Sequence, residues 1–177
     1  MIQTKAKGLK LEVNGSVLAV ARRPLLAELE PALRGIALSD SPVLVRADPF
    51  DADHVVQRLH VLSRRAELPL RSVHHERDVT SLLGALGKDG EACSEARGTW
   101  ALHHVHWWSM DRQLDLAALL EDLDTARLHG RLGHHHIPRI VVVSGLGERL
   151  GKLEPTLEQR LTFFHLTISP NLEKGLH

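Results

Sequence analysis

The sequence predicts an α/β fold: a three-layer core with a mainly parallel five-stranded sheet between helices. Three observations predict it. Short apolar runs alternate along the chain with stretches whose apolar residues recur at helical spacing. The run Ile140-Val141-Val142-Val143 is continuously apolar, as a strand covered on both faces requires. The 177 residues, 43% hydrophobic and 25% charged, suit one domain with its own core.

Each element follows in order. Leu9, Leu11 and Val13 alternate with polar residues and meet Asn14-Gly15, a hairpin-turn signal, so residues 1–18 are expected to form a short strand or an ordered arm. Pro24 opens a helical stretch with Leu25, Leu26, Leu29 and Leu33 on one face and an end near Gly35. Val43-Leu44-Val45 reads as a short buried strand and Asp48-Pro49-Phe50-Asp51 as a turn. Val55, Val56, Leu59 and Leu62 then mark the next helix. Residues 70–73 form a weaker second strand. Residues 76–97 are polar and irregular, with room for one short helix around 81–86. A third strand over 100–105, an amphipathic helix over 114–128, the strong strand at 140–143, a helix over 154–162 and a last strand over 164–168 complete a core of residues 19–172, with 173–177 as a tail. In a sheet of this kind ligands bind at the carboxyl ends of the strands.

Charge and composition narrow the function. Lys plus Arg number 22 and Asp plus Glu number 22, so the broad basic field that nucleic acids need is missing, and no nucleic-acid binding is expected of the chain by itself. The one cysteine, Cys93, cannot form an internal disulfide, which fits a reducing cytoplasm. No apolar run approaches the roughly 18 residues of a membrane span, and the first residues lack the apolar stretch of a signal peptide. A cytoplasmic protein with no membrane partner is expected. Thirteen histidines and no tyrosine stand out.

The residues, taken in order, carry a family resemblance. Val20-Ala21-Arg22-Arg23-Pro24-Leu25-Leu26 looks like V-G-x-S-P-x-M, and Ser41-Pro42-Val43-Leu44-Val45-Arg46 is similar to a first strand. Val56-Gln57-Arg58-Leu59-His60 and Ser63-Arg64-Arg65-Ala66 resemble A-R-x-I-H-x-x-S-x-R-A. Gly98-Thr99-Trp100-Ala101-Leu102-His103-His104-Val105 lines up with G-T-L-F-L-D-E-I, residues 139–144 with R-V-I-A-A-T, and residues 160–166 with R-L-N-V-F-P-I. From about Val20 to Pro170 the chain thus resembles the AAA+ core of the sigma-54-dependent transcription activators, the NtrC-like family. The resemblance implies a P-loop-NTPase-like fold. The sequence continues only briefly past Pro170, so the family's helical lid is expected to be absent, as is a DNA-binding helix-turn-helix.

The same resemblance implies loss of the family's chemistry. A phosphate loop needs glycines for close backbone approach and a lysine for the β and γ charges. The counterpart of G-E-x-G-T-G-K-E is residues 47–54, which hold Asp48, Pro49, Asp51, Asp53 and His54, with no glycine and with Asp53 at the lysine position. The Asp-Glu pair that serves magnesium and water becomes His103-His104, and imidazole is a poor Mg²⁺ ligand. Of the two arginines that reach a neighbouring subunit's nucleotide, the first position is Glu154 and the second is Arg160; the γ-phosphate-sensing asparagine corresponds to Gly145. Residues 83–90, opposite the sigma-contacting G-A-F-T-G-A loop, lack that motif. Neither ATP nor magnesium is expected to bind, and the chain is not expected to be an enzyme.

The histidines suggest one alternative. His74-His75, His103-His104-His106 and His134-His135-His136 are clustered, and neighbouring second and third strands would bring the first two groups to one edge. His74, His75, His104 and His106 are candidate ligands for a transition metal such as Zn²⁺, Ni²⁺ or Cu²⁺. Against that, adjacent strand residues point to opposite faces, and no spacing matches a known zinc site. New chemistry from His103, His104 and Asp53 lacks a triad or a carboxylate pair. Trp107-Trp108 cannot both face one core: one packed and one exposed would mark a partner contact, while both could instead lie between helix and sheet. The expected function is that of a non-catalytic pseudo-ATPase, a regulatory or scaffolding domain in transcriptional or signalling control. Its partner would be a protein, either itself or an intact AAA+ relative. The alternative is a metal- or small-ligand sensor using the vacated crevice.

Overall fold

A computed structural model describes residues 9–13, 16–18, 25–80, 97–129, 137–146 and 152–168. The strands are β1 (Leu9–Val13), β2 (Ser16–Leu18), β3 (Val43–Arg46), β4 (Leu70–Val73), β5 (Thr99–Leu102), β6 (Arg139–Ser144) and β7 (Phe164–Ile168). The helices are α1 (Leu25–Leu38), α2 (Pro49–Leu62), α3 (Met110–Leu128) and α4 (Pro155–Arg160). One sheet holds all seven strands in the order β2-β1-β7-β3-β6-β5-β4. Five of them, β7-β3-β6-β5-β4, run parallel, as the sequence predicts. The residues around Asn14-Gly15 add an antiparallel pair, β1 with β2, and β1 also pairs antiparallel with β7. The expected strand or arm is therefore part of the sheet.

The period-2 geometry of strands divides the core in two. In β6, Val141 and Val143 join the cluster under α1 and α2, whereas Ile140 and Val142 join the one under α3 and α4. In β3, Val45 faces the first layer and Leu44 the second. The sheet lies between two helical layers, with β3 and β6 near the middle of its parallel part. Among the described residues no helix is long and apolar enough to cross a membrane.

Boundaries differ from expectation in several places: α3 starts at Met110 rather than 114, and α4 spans Pro155–Arg160 rather than 154–162. Helix α1 runs past Gly35 to Leu38 because its last carbonyls find a partner: buried Arg139 donates from Nη2 to Ile36 O at 2.7 Å and from Nη1 to Ala37 O at 2.9 Å. Helix α2 begins at Pro49, so residues 49–51 are helical rather than a turn. Strand β5 stops at Leu102, and a 3-10 turn, Val105–Trp107, follows. The expected helix around 81–86, Cys93, the counterpart of the sigma-contacting loop, His134 to His136 and everything past Ile168 lie outside the described residues.

Candidate functional site

The carboxyl ends of β3, β4, β5 and β6 meet at one edge, and the chain leaves each with a different group. From β3 it passes Arg46 and Ala47 and enters α2 at once. Asp48, extended at φ −66° and ψ 159°, is the N-cap: its Oδ1 accepts from the Asp51 N–H at 3.0 Å, and Pro49 takes the first helical position, where its missing N–H costs nothing. A phosphate at a helix N-terminus would use those same N–H groups and the positive end of the dipole. Here the protein's own carboxylate occupies that place. Asp51 adds charge in the first turn and exposed Asp53 in the next, and exposed His54 sets its ring edge-on to exposed Phe50 at 4.4 Å between centroids.

His103 follows β5 and is held by its own N–H, which donates to Val73 O at 2.8 Å. It is 3% exposed, its ring stacks on His74 at 4.4 Å, and its Nδ1 lies 3.8 Å from Asp53 Oδ1, beyond hydrogen-bond reach. Burial pushes its imidazole down to about 4; His74 and His104 push the same way, and Asp53 opposes them. His104 has φ +58°, the left-handed region, and its ring stacks on Trp107 at 5.1 Å. His106 is buried and accepts the Gly145 N–H at Nδ1 over 3.3 Å. Burial lowers its pKa, with His104 and Arg46 adding to the effect.

Among the described residues these imidazoles do not converge on one point. Among the described residues no three His, Cys, Asp or Glu side chains could hold an ion. The rings of His74 and His103 stack face to face instead of pointing at a common centre. Because His106 Nδ1 accepts from Gly145, its neutral ring carries the proton on Nε2 and offers no lone pair there. His75 is exposed, and no ring contact joins it to the others among the described residues. Clustering along the sequence therefore does not become a convergent set of His74, His75, His104 and His106.

The remaining positions are accounted for within the chain. Gly145 follows β6 and binds His106. Glu154, placed opposite the first family arginine, caps α4: its carboxylate accepts from the Leu157 N–H at 2.8 Å and from the Thr156 hydroxyl at 3.0 Å. Arg160 forms an ion pair with Glu121 of α3 at 2.8 Å, so its guanidinium is engaged inside the molecule. Trp107 is 64% exposed and Trp108 only 7%, which removes Trp108 from the expected partner contact and leaves Trp107.

Several residues of this region were missed by sequence reasoning. Arg46 pairs with Glu158 of α4 beside a groove of about 460 Å³ lined also by Leu44, Leu161, Thr162, His165 and Thr167. Buried Gln113 bridges elements: its Nε2 donates to Trp108 O and its Oε1 accepts the Glu154 N–H. A lone polar residue inside an amphipathic helix gives no sign of such partners. At the opposite edge, buried Arg65 reaches Ile137 O and Asp40. Gln113 and Arg65 tie elements together, while Arg46 and Glu158 line the groove.

No family profile and no curated protein matches the chain. Solved structures do match it. One is the P-loop NTPase domain of the sigma-54 transport activator from E. coli, at TM-score 0.57 and 14% identity, covering 85% of this chain and 99% of that one. Another is NtrX from Brucella abortus in complex with ATP, at TM-score 0.58 and 18% identity, covering 84% of this chain but 38% of that one. The same protein in complex with ADP gives TM-score 0.56 at 15% identity. At such identities the likeness is one of fold, and that fold is the P-loop-NTPase-like one expected from the sequence.

Proposed function

We propose that this chain is a pseudo-ATPase: a P-loop-type core that neither binds nor hydrolyses ATP and serves as a regulatory or scaffolding protein-interaction domain. The capped N-terminus of α2 carries the reading. Asp48 holds the N–H group that a phosphate would need, Asp51 stands in the same first turn, and exposed Asp53 follows in the next. A triphosphate would have to displace the cap and approach three like charges. The cations nearest in role are engaged: Arg46 with Glu158 and Arg160 with Glu121. The positions matching the family's metal-binding carboxylates are His103 and His104.

The matched folds come from sigma-54-type activators, which favours a role in transcriptional or signalling control. The partner would be another copy or an intact relative, or a protein acting with it. Calorimetric titration with Mg·ATP tests the non-catalytic part. No heat of binding at millimolar nucleotide and no phosphate release above the blank are expected; micromolar affinity or steady turnover would overturn it.

A further inference from the structure

We infer that the outward face of α3 is a docking surface for a basic amphipathic helix of a protein partner. The inference deepens the interaction-domain reading and rests on it, but not on the state of the nucleotide site. The inward face of α3 is ordinary: Leu116, Leu119, Leu120 and Leu123 fill the second core cluster. Its solvent face is not. Met110 is 58% exposed and Leu114 43%, and exposed Ala118 follows. Spacing by four keeps these three in one row along the helix. Trp107, 64% exposed, lies three residues before Met110, in the 3-10 turn that leads into the helix. Scattered exposed apolar residues need no explanation, but two large ones and an alanine in one row form a patch that does.

Charge selects the occupant. One step round the helix from that row lie exposed Asp111 and Asp115, and exposed Asp122 closes the row itself four residues after Ala118. The α3 sequence carries five carboxylates against two arginines; Arg112 pairs with Asp115 at 3.1 Å, Arg127 with Asp124 at 2.6 Å and Arg160 of α4 with Glu121 at 2.8 Å, which leaves Asp111 and Asp122 as the acidic surplus of this face. An apolar row with an acidic flank complements a helix whose own apolar row is flanked by Lys or Arg. A second copy docked through the same face would set carboxylates against carboxylates. An anionic membrane would be repelled for the same reason.

Tryptophan emission reads the surface directly, since Trp100 and Trp108 are 6% and 7% exposed and Trp107 is the exposed one. The probe is a synthetic helical peptide with a leucine row flanked by lysines. Two controls accompany it: one with glutamate for each lysine, one with serine for each leucine. A saturable blue shift is expected with the first peptide and with neither control. Leu114→Glu and Met110→Ser, at exposed positions and checked by circular dichroism, should each weaken binding roughly tenfold or more. Equal binding by the serine control, or unchanged affinity in both variants, would overturn the inference. So would absence of saturation, a shift on anionic vesicles, or a wild-type dimer that Leu114→Glu dissociates. Mg·ATP binding, in contrast, would overturn the pseudo-ATPase reading and leave this surface untouched.

Discussion

At Gly98 the backbone takes φ +104°, and a Cβ there would lie 2.1 Å from Pro69 O. That oxygen accepts the Thr99 N–H at 3.0 Å, and Gly98 O accepts the Arg139 N–H, so neither neighbour can retreat without breaking the start of β5. Gly98→Ala should therefore cost about 2–4 kcal/mol in denaturant unfolding; a loss under about 1 kcal/mol would show that the turn relaxes freely. The sequence made Gly98 visible as part of a family motif, but not the reason for it, because the contact depends on Pro69 in another segment. Asp48 was legible in a different way. Asp followed by Pro is a helix start, yet the same residues, Asp48-Pro49-Phe50-Asp51, also read as a turn after a strand. The cap replaces the loop, and local chemistry decided the structure. His104 shows the limit: nothing in a His-His pair announces a residue at φ +58° stacked on Trp107.

Elements were readable where their apolar spacing was strong and less so at their ends. Helix α1 was expected to finish at Gly35, the usual sign of a C-terminus. It continues because Arg139, about a hundred residues away, bonds Ile36 O and Ala37 O from a fully buried position. Gly35 is then an exposed residue inside a helix, and an added Cβ meets nothing within 4 Å. Gly35→Ala should raise stability by about 0.5–1 kcal/mol, seen as a higher denaturant midpoint at unchanged slope. A fall instead would mean that the last turn is not regular helix. The third strand was read three residues too long, since Val105 is as apolar as a strand residue but belongs to the 3-10 turn that buries it and Trp108. The salt bridge from Arg58 to Glu30 joins α1 and α2, but it is open to solvent and screened, so it adds little to the packing between them.

For the whole molecule, the alternation of strand and helix gave the parallel sheet and its two layers. The pairing of β1 with β7 was not readable, because edge pairing joins residues at opposite ends of the chain. The imidazole-lined edge gives the fold a pH response. His103 titrates near 4 in the fold against 6.5 for a free histidine. The folded state therefore prefers the neutral ring, and its stability is fully present above pH 6.5 and lost as pH falls from there toward 4. The loss should reach about 3 kcal/mol from this residue. His60 and His106, also lowered by burial, add in the same direction. His103→Gln should flatten the fall in unfolding free energy over that range; an unchanged slope would assign it elsewhere. The central claim concerns the start of α2, where Asp48 stands in place of a phosphate. Its most direct test follows the backbone amide resonances of Asp51 and Ala52 while Mg·ATP is raised to millimolar concentration. Unmoved resonances are the expected result. A saturable shift confined to those amides and their neighbours would contradict it, because it would mean that the nucleotide displaces the cap.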